Sequence, residues 1–145
     1  MNSEIRIEIL GRPVPWSVEI SRRGGHGVLV TPERLGIWQE AAVLFARIAM
    51  RGKKTIEGPV KFSMVAVFPI PKEWNKAKRQ DAIDGKVLHK VLPDMTNLLK
   101  ATEDSLTTAK VWTDDGLVCR QETAKLYGEN PGVYVVVTPI EEQSG

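Results

Sequence analysis

Three acidic positions late in the chain have the residue types and spacing to hold a cation. Asp94 precedes a predicted helix, and Asp114 and Asp115 stand side by side where a strand is predicted after it. Clustered carboxylates repel one another, and a hard divalent cation relieves that repulsion. Mg2+ takes one or two carboxylates and completes its shell with waters and phosphate oxygens, so a site of this kind would be open to phosphate. One geometric condition applies: a helix of about eleven residues is ~16 Å long, and Asp114 and Asp115 reach Asp94 only if segment 108–113 doubles back along it. Asn97, Lys100 and Asp104 share one outer face of that helix at i, i+3 and i+7. Ordinary structural duties compete for these residues. Asp94 and Thr96 suit helix capping, Asp114-Asp115-Gly116 suits a turn, and Lys100 suits a surface pair with Glu103 or Asp104.

The elements that must carry these groups follow from the hydrophobic pattern. Ile5, Ile7 and Ile9 alternate with Arg6 and Glu8, which predicts a half-buried first strand ending at the Gly11–Pro15 loop. Residues 21–27 predict an exposed basic, glycine-rich loop before a short strand at Val28–Val30. Thr31-Pro32-Glu33 then starts a helix, with Thr31 as its cap and Leu35, Trp38, Ala42, Phe45 and Ala49 on its inner face up to Gly52. Val60–Phe68 reads as a central strand stopped by Pro69-Ile70-Pro71. Residues 72–90, with six Lys/Arg against three acids, predict a short helix and an extended basic loop. The helix at Asn97–Thr107 turns Leu98, Leu99, Thr102 and Leu106 inward. Leu117–Leu126 and Val133–Thr138 read as two strands joined by a hairpin loop at 128–132. The order predicts a two-layer α+β fold, a mixed β-sheet packed by two main helices, forming one domain over residues 1–145 with a frayed tail from Glu141.

Composition limits the function classes. The 145 residues are 42% hydrophobic and 26% charged, which fits a globular chain and lacks the signatures of disordered, collagenous or coiled-coil sequences. Cys119 is the single cysteine and His26 and His89 are the two histidines, which excludes an internal disulfide and a zinc site and fits a reducing cytoplasm. No window has the eighteen apolar residues of a membrane span. Residues 1–90 carry sixteen Lys/Arg against nine Asp/Glu, a net +7, whereas residues 91–145 carry four against nine, a net −5. Such asymmetry suits a basic surface for a polyanion beside an acidic patch needing protons or metal; two solvated faces are the plainer alternative.

Pro93-Asp94-Met95-Thr96-Asn97-Leu98-Leu99-Lys100, then Glu103-Asp104-Ser105-Leu106, then Trp112-Thr113-Asp114-Asp115 resembles the pattern of the RusA family of Holliday-junction resolvases, many of them encoded by prophages. That pattern runs roughly P-D-x-D-N-L-x-K, D-A-L, D-D. The resemblance extends upstream through the Gly11–Pro15 loop, Thr31-Pro32, and Pro69–Trp74 with Lys76, Lys78 and Arg79. It implies a homodimeric endonuclease, dependent on Mg2+ with Mn2+ as a substitute, that cuts four-way DNA junctions by paired nicks in recombination and repair. It further implies that Asp94 and Asp115 hold metal, that Lys100 serves cleavage, and that Asn97 orients a ligand or caps the helix. The basic segments, with Arg22, Arg23, Lys72, Lys76, Lys78, Arg79, Lys86 and Lys90, are expected to grip backbone phosphates. Trp16, Trp38, Trp74 and Trp112 suit packing, with Trp74 amid lysines the best candidate among them for base stacking, and His26 and His89 are expected to be solvated or to face phosphate.

The chain departs from the pattern where Thr96 replaces the second carboxylate. A hydroxyl is a neutral, weaker ligand, so Glu103 or Asp114 is a candidate to supply the missing charge alongside Thr96. Two rival readings follow from that substitution and from the acid cluster: a non-catalytic protein that binds junctions with the same fold, and a small phosphoesterase acting on nucleotides.

Overall fold

The chain runs β1 (Ile5–Leu10), β2 (Glu19–Ser21), β3 (Val28–Val30), α1 (Glu33–Ala49), β4 (Val60–Pro69), α2 (Lys76–Ile83), α3 (Met95–Thr108), β5 (Val118–Gly128) and β6 (Gly132–Pro139), with a 3-10 turn at Asp115–Leu117 before β5. The computed structural model describes residues 4–22 and 25–143. Its main sheet has the order β1-β6-β4-β5. β6 is antiparallel to both β1 and β4, and β5 is parallel to β4, so the sheet is mixed, as the pattern predicted. A parallel pair needs a long crossover, and the segment holding α2 and α3 supplies it.

One face of the sheet contributes Ile5, Ile7, Ile9, Phe62, Met64, Phe68, Val133, Val135 and Val137 to the core. Leu35, Trp38, Ala42 and Ala46 of α1 and Leu98, Ala101 and Leu106 of α3 pack there with them. Two layers result, with α3 against α1 over the sheet and both ends of α3 near the surface.

Five local expectations are corrected. The strands at 118–128 and 132–139 do not pair as a hairpin, because β4 lies between them and the connection passes over its end. The approach there is close, with an added Cβ on Gly128 falling 2.7 Å from Val67 Cγ1. Turn residues signal a reversal without specifying which strands pair, and the apolar run of β4 takes a partner on each side. A strand at Glu19–Ser21, absent from the sequence reading, pairs with β3. Pro32, not Thr31, occupies the cap position of α1 and makes no side-chain cap bond. Phe45 is 37% exposed, because the buried stripe runs through residues 35, 38, 42 and 46 and position 45 falls to its side. His89 also differs from expectation. Its ring is buried, stacked on Phe68 at 4.1 Å and tilted against Tyr127 at 4.9 Å.

Candidate active site

α3 begins at Asp94, whose Oδ1 accepts the backbone N–H of Asn97 at 2.8 Å while Oδ2 accepts from Asn97 Nδ2 at 3.3 Å. Asp94 therefore caps the helix, and Asn97 fixes both its oxygens. The side chain is exposed, and an ionised carboxylate has lone pairs beyond those two bonds. The loop after β1 lies across this helix end, with Trp16 N–H donating to Asn97 O at 2.9 Å. A cavity of about 410 Å3 between loop and helix is bordered by Arg12, Trp16, Arg34, Asp94 and Asn97. One turn further on, Lys100 Nζ sits 4.7 Å from the centroid of the Trp16 ring, an attraction between the ammonium and the indole face.

The far end of α3 meets the condition that the chain double back. Lys110 takes a left-handed conformation (φ 62°), Lys110 N–H bonds Thr107 O, and Val111 N–H bonds Leu106 O at 3.0 Å, which reverses the chain at the helix terminus. Trp112 anchors the return. Its Nε1–H donates to Thr107 Oγ1 at 2.7 Å, and its buried ring meets Phe62 edge-on. Ile56 N–H to Val111 O and Thr113 N–H to Ile56 O hold the strap on both sides. Asp114 then accepts Gly116 N–H at 2.9 Å and caps the 3-10 turn that carries Asp115.

Electrostatics show which groups meet. Asp114 is held below the usual carboxylate range by the Gly116 N–H and by a hydrogen bond shared with Asp115. Asp115 is pushed up by partial desolvation, then by the hydrogen bond and charge of Asp114 and the charge of Asp104, with Lys100 pulling the other way. Glu103 is raised by burial first and then by the charges of Asp115 and Asp104. Lys100, Glu103 and Asp104 at the middle of α3 thus lie within the field of the turn that carries Asp114 and Asp115. Asp94 stands with Asn97 at the helix start, ~14 Å of helix rise before Glu103, and Thr96 is exposed on the first turn.

No group of three or more His, Cys, Asp or Glu among the described residues is placed to hold a metal ion. The donor chemistry nevertheless fits Mg2+. The donors are all oxygen, Asp115 is pushed up by its neighbour Asp114, a repulsion that a bound cation relieves, and Mg2+ needs only one or two protein carboxylates.

Of the residues expected to meet DNA, Arg22, Lys72, Lys76, Lys78, Lys86 and Lys90 are exposed. Arg23 lies outside the described residues. Arg79 is half-buried and donates to Pro71 O at 3.0 Å, which braces the end of β4. Trp74 packs edge-on against Tyr127 at 5.0 Å, and Lys78 Nζ lies 4.0 Å from its ring centroid. The sequence reading missed Arg12, Arg34 and Trp16 at the Asp94 cavity. The proline-rich loop after β1 was the signal for Arg12 and Trp16, and Arg34 is brought there by the first turn of α1.

With this geometry in hand, comparison with known proteins places the chain. Residues 11–138 match the model of the endodeoxyribonuclease RusA family, and the chain belongs to that family of junction-resolving nucleases. It is also similar to the uncharacterized protein YqaN of Bacillus subtilis strain 168, 27% identical over 139 residues that cover 94% of this chain and 96% of the relative.

Proposed function

We propose that this chain is a Mg2+-dependent endodeoxyribonuclease that resolves four-way DNA junctions by paired nicks, working as a homodimer in the cytoplasm. An exposed free thiol at Cys119 accords with a reducing compartment, and among the described residues no helix is long and apolar enough to cross a membrane. The observation that carries the reading is Lys100. In a chain of the RusA family, its ammonium rests on the Trp16 ring, within the field of Asp115 and two turns from Asp94.

Asp94 and Asp115 would hold one or two Mg2+ ions, Asp94 with the Thr96 hydroxyl beside it at the start of α3, and Asp115 with Asp114 and Glu103 beside it at the middle of the helix. Held there, Mg2+ would supply Lewis-acid polarisation of the scissile phosphate and a more acidic water. The chain's own residues do the rest. Asn97 keeps both oxygens of Asp94 in place, and Trp16 sets the position of Lys100. Lys100 then puts positive charge beside the phosphate as negative charge builds on it. Arg12 and Arg34, which line the same cavity as Asp94, would meet flanking phosphates. Arg22 and Arg23 and the lysines of residues 72–90 would grip the duplex arms through their backbones, contacts suited to reading junction shape rather than sequence.

A labelled four-way junction incubated in Mg2+ and read for both shift and nicking tests the proposal, which expects both. A shift without nicking in Mg2+ or Mn2+ selects the non-catalytic binder that Thr96 favours. Hydrolysis of a chromogenic phosphodiester with neither shift nor nicking selects the small phosphoesterase.

A further inference from the structure

Lys125 lies on β5, the edge strand beyond β4, opposite Ala66. An edge lysine ordinarily points to water and keeps other strands from pairing. This one turns onto the loop that delivers Asp94: Nζ donates to Val91 O at 2.7 Å and to Pro93 O at 2.9 Å. Both distances are in the range of charge-assisted bonds, and two of the three ammonium donors are thereby used. The two carbonyls bracket Leu92, which is 81% exposed, so little side-chain packing holds the loop at that point. The His89 ring, stacked on Phe68, anchors the same loop at its start.

We infer that Lys125 is a positioning residue for Asp94: its ammonium ties Val91 O and Pro93 O to β5 and fixes the backbone that presents the Asp94 carboxylate. This rests on the reading of Asp94 as a metal-holding carboxylate. The same strand starts at Val118, directly after the turn that carries Asp115. β5 is thus the rigid element common to both acids, joined to Asp115 through the chain and to Asp94 through Lys125. A carboxylate that caps a helix is already aimed by its cap bonds. Lys125 sets where the whole cap sits relative to the sheet, as groups behind metal ligands do when they orient them.

The test compares wild type, Lys125→Met and Lys125→Arg by amide hydrogen exchange, by Mn2+ affinity in electron paramagnetic resonance, and by the Mg2+ dependence of nicking. Met keeps the aliphatic stem and removes the donors, whereas Arg keeps two donors for the two carbonyls. The inference expects Lys125→Met to speed exchange in residues 91–95 while β6 and α1 stay protected. It also expects Mn2+ binding to weaken by about 10–100-fold, the usual cost of losing support behind a metal ligand, and more Mg2+ to be needed for nicking. Lys125→Arg should recover most of both. Wild-type exchange in Lys125→Met, faster exchange with unchanged Mn2+ affinity, or an Arg variant as poor as Met would each overturn it. A wild-type chain that neither binds Mn2+ nor nicks any junction would overturn the nuclease reading, and with it any role for Lys125 in placing a metal ligand.

Discussion

Lys100 has two kinds of neighbour, the indole face of Trp16 and the acids of the 103–115 cluster, and its position between them sets an ammonium against those acids. Thr96 sits at the other end, on the first turn beside Asp94. Glu103, seven residues along, is ~10 Å away by helix rise and feels Asp115 and Asp104 instead, so it serves the Asp115 end. Thr96→Asp would therefore add a charged oxygen where none stands, at a helix start that favours negative charge. Nicking by that variant should half-saturate at lower Mg2+ than in wild type, read by a metal titration; a higher requirement would show that the charge was already complete. His89 offers a prediction independent of catalysis. Burial, then the charge of Lys125, lowers its pKa, so protonation favours the unfolded chain and stability is lost as pH falls through the ordinary value of 6.5. Its Nδ1 is buried without a partner. His89→Phe keeps a ring stacked on Phe68 and removes both burdens. Its melting temperature should equal or exceed wild type at pH 7.5, with the advantage widening at pH 5.5.

At the scale of elements, two glycines should respond in opposite ways. Gly36 lies inside α1 with no atom within 4 Å of an added Cβ, and Gly36→Ala should stabilise by about 0.5–1 kcal/mol in thermal melts. Gly132 opens β6 where an added Cβ would lie 2.9 Å from Ile9 O, a backbone atom that cannot swing away. Gly132→Ala should cost about 1–3 kcal/mol. The same contrast explains what the sequence revealed. β1, α1, β4 and α3 were readable because their periodicity is written in consecutive side chains, and Asp94 and Asp114-Asp115 were readable because caps and turns are local. The position of β4 between β5 and β6 was not readable, because it depends on which strand buries both edges. Nor were Trp16 under Lys100 or Lys125 behind Asp94, since each contact joins segments far apart in the chain. The inward face of α1 was read one position too wide at Phe45, where a large apolar residue sits at the margin of the stripe.

For the whole molecule, the exposed lysines of residues 72–90 give the chain a basic surface segment beside the acids of its C-terminal half. Junction binding should fall linearly on a log–log plot against salt concentration, because each Lys or Arg that meets a phosphate displaces a condensed counterion. A four-way junction is two-fold symmetric, and two like nicks need two like sites. Light scattering at micromolar concentration should accordingly give twice the 16.1 kDa chain mass; the monomer mass alone would contradict the paired-nick mechanism. The most direct test of the account compares wild type, Asp94→Asn and Asp115→Asn on one end-labelled four-way junction in Mg2+. The account predicts symmetric nicks from wild type, and from both variants no nicks with equal or tighter junction binding, since each loses a metal oxygen and a charge that repels phosphate. Cutting by either carboxamide variant at the wild-type rate would contradict it.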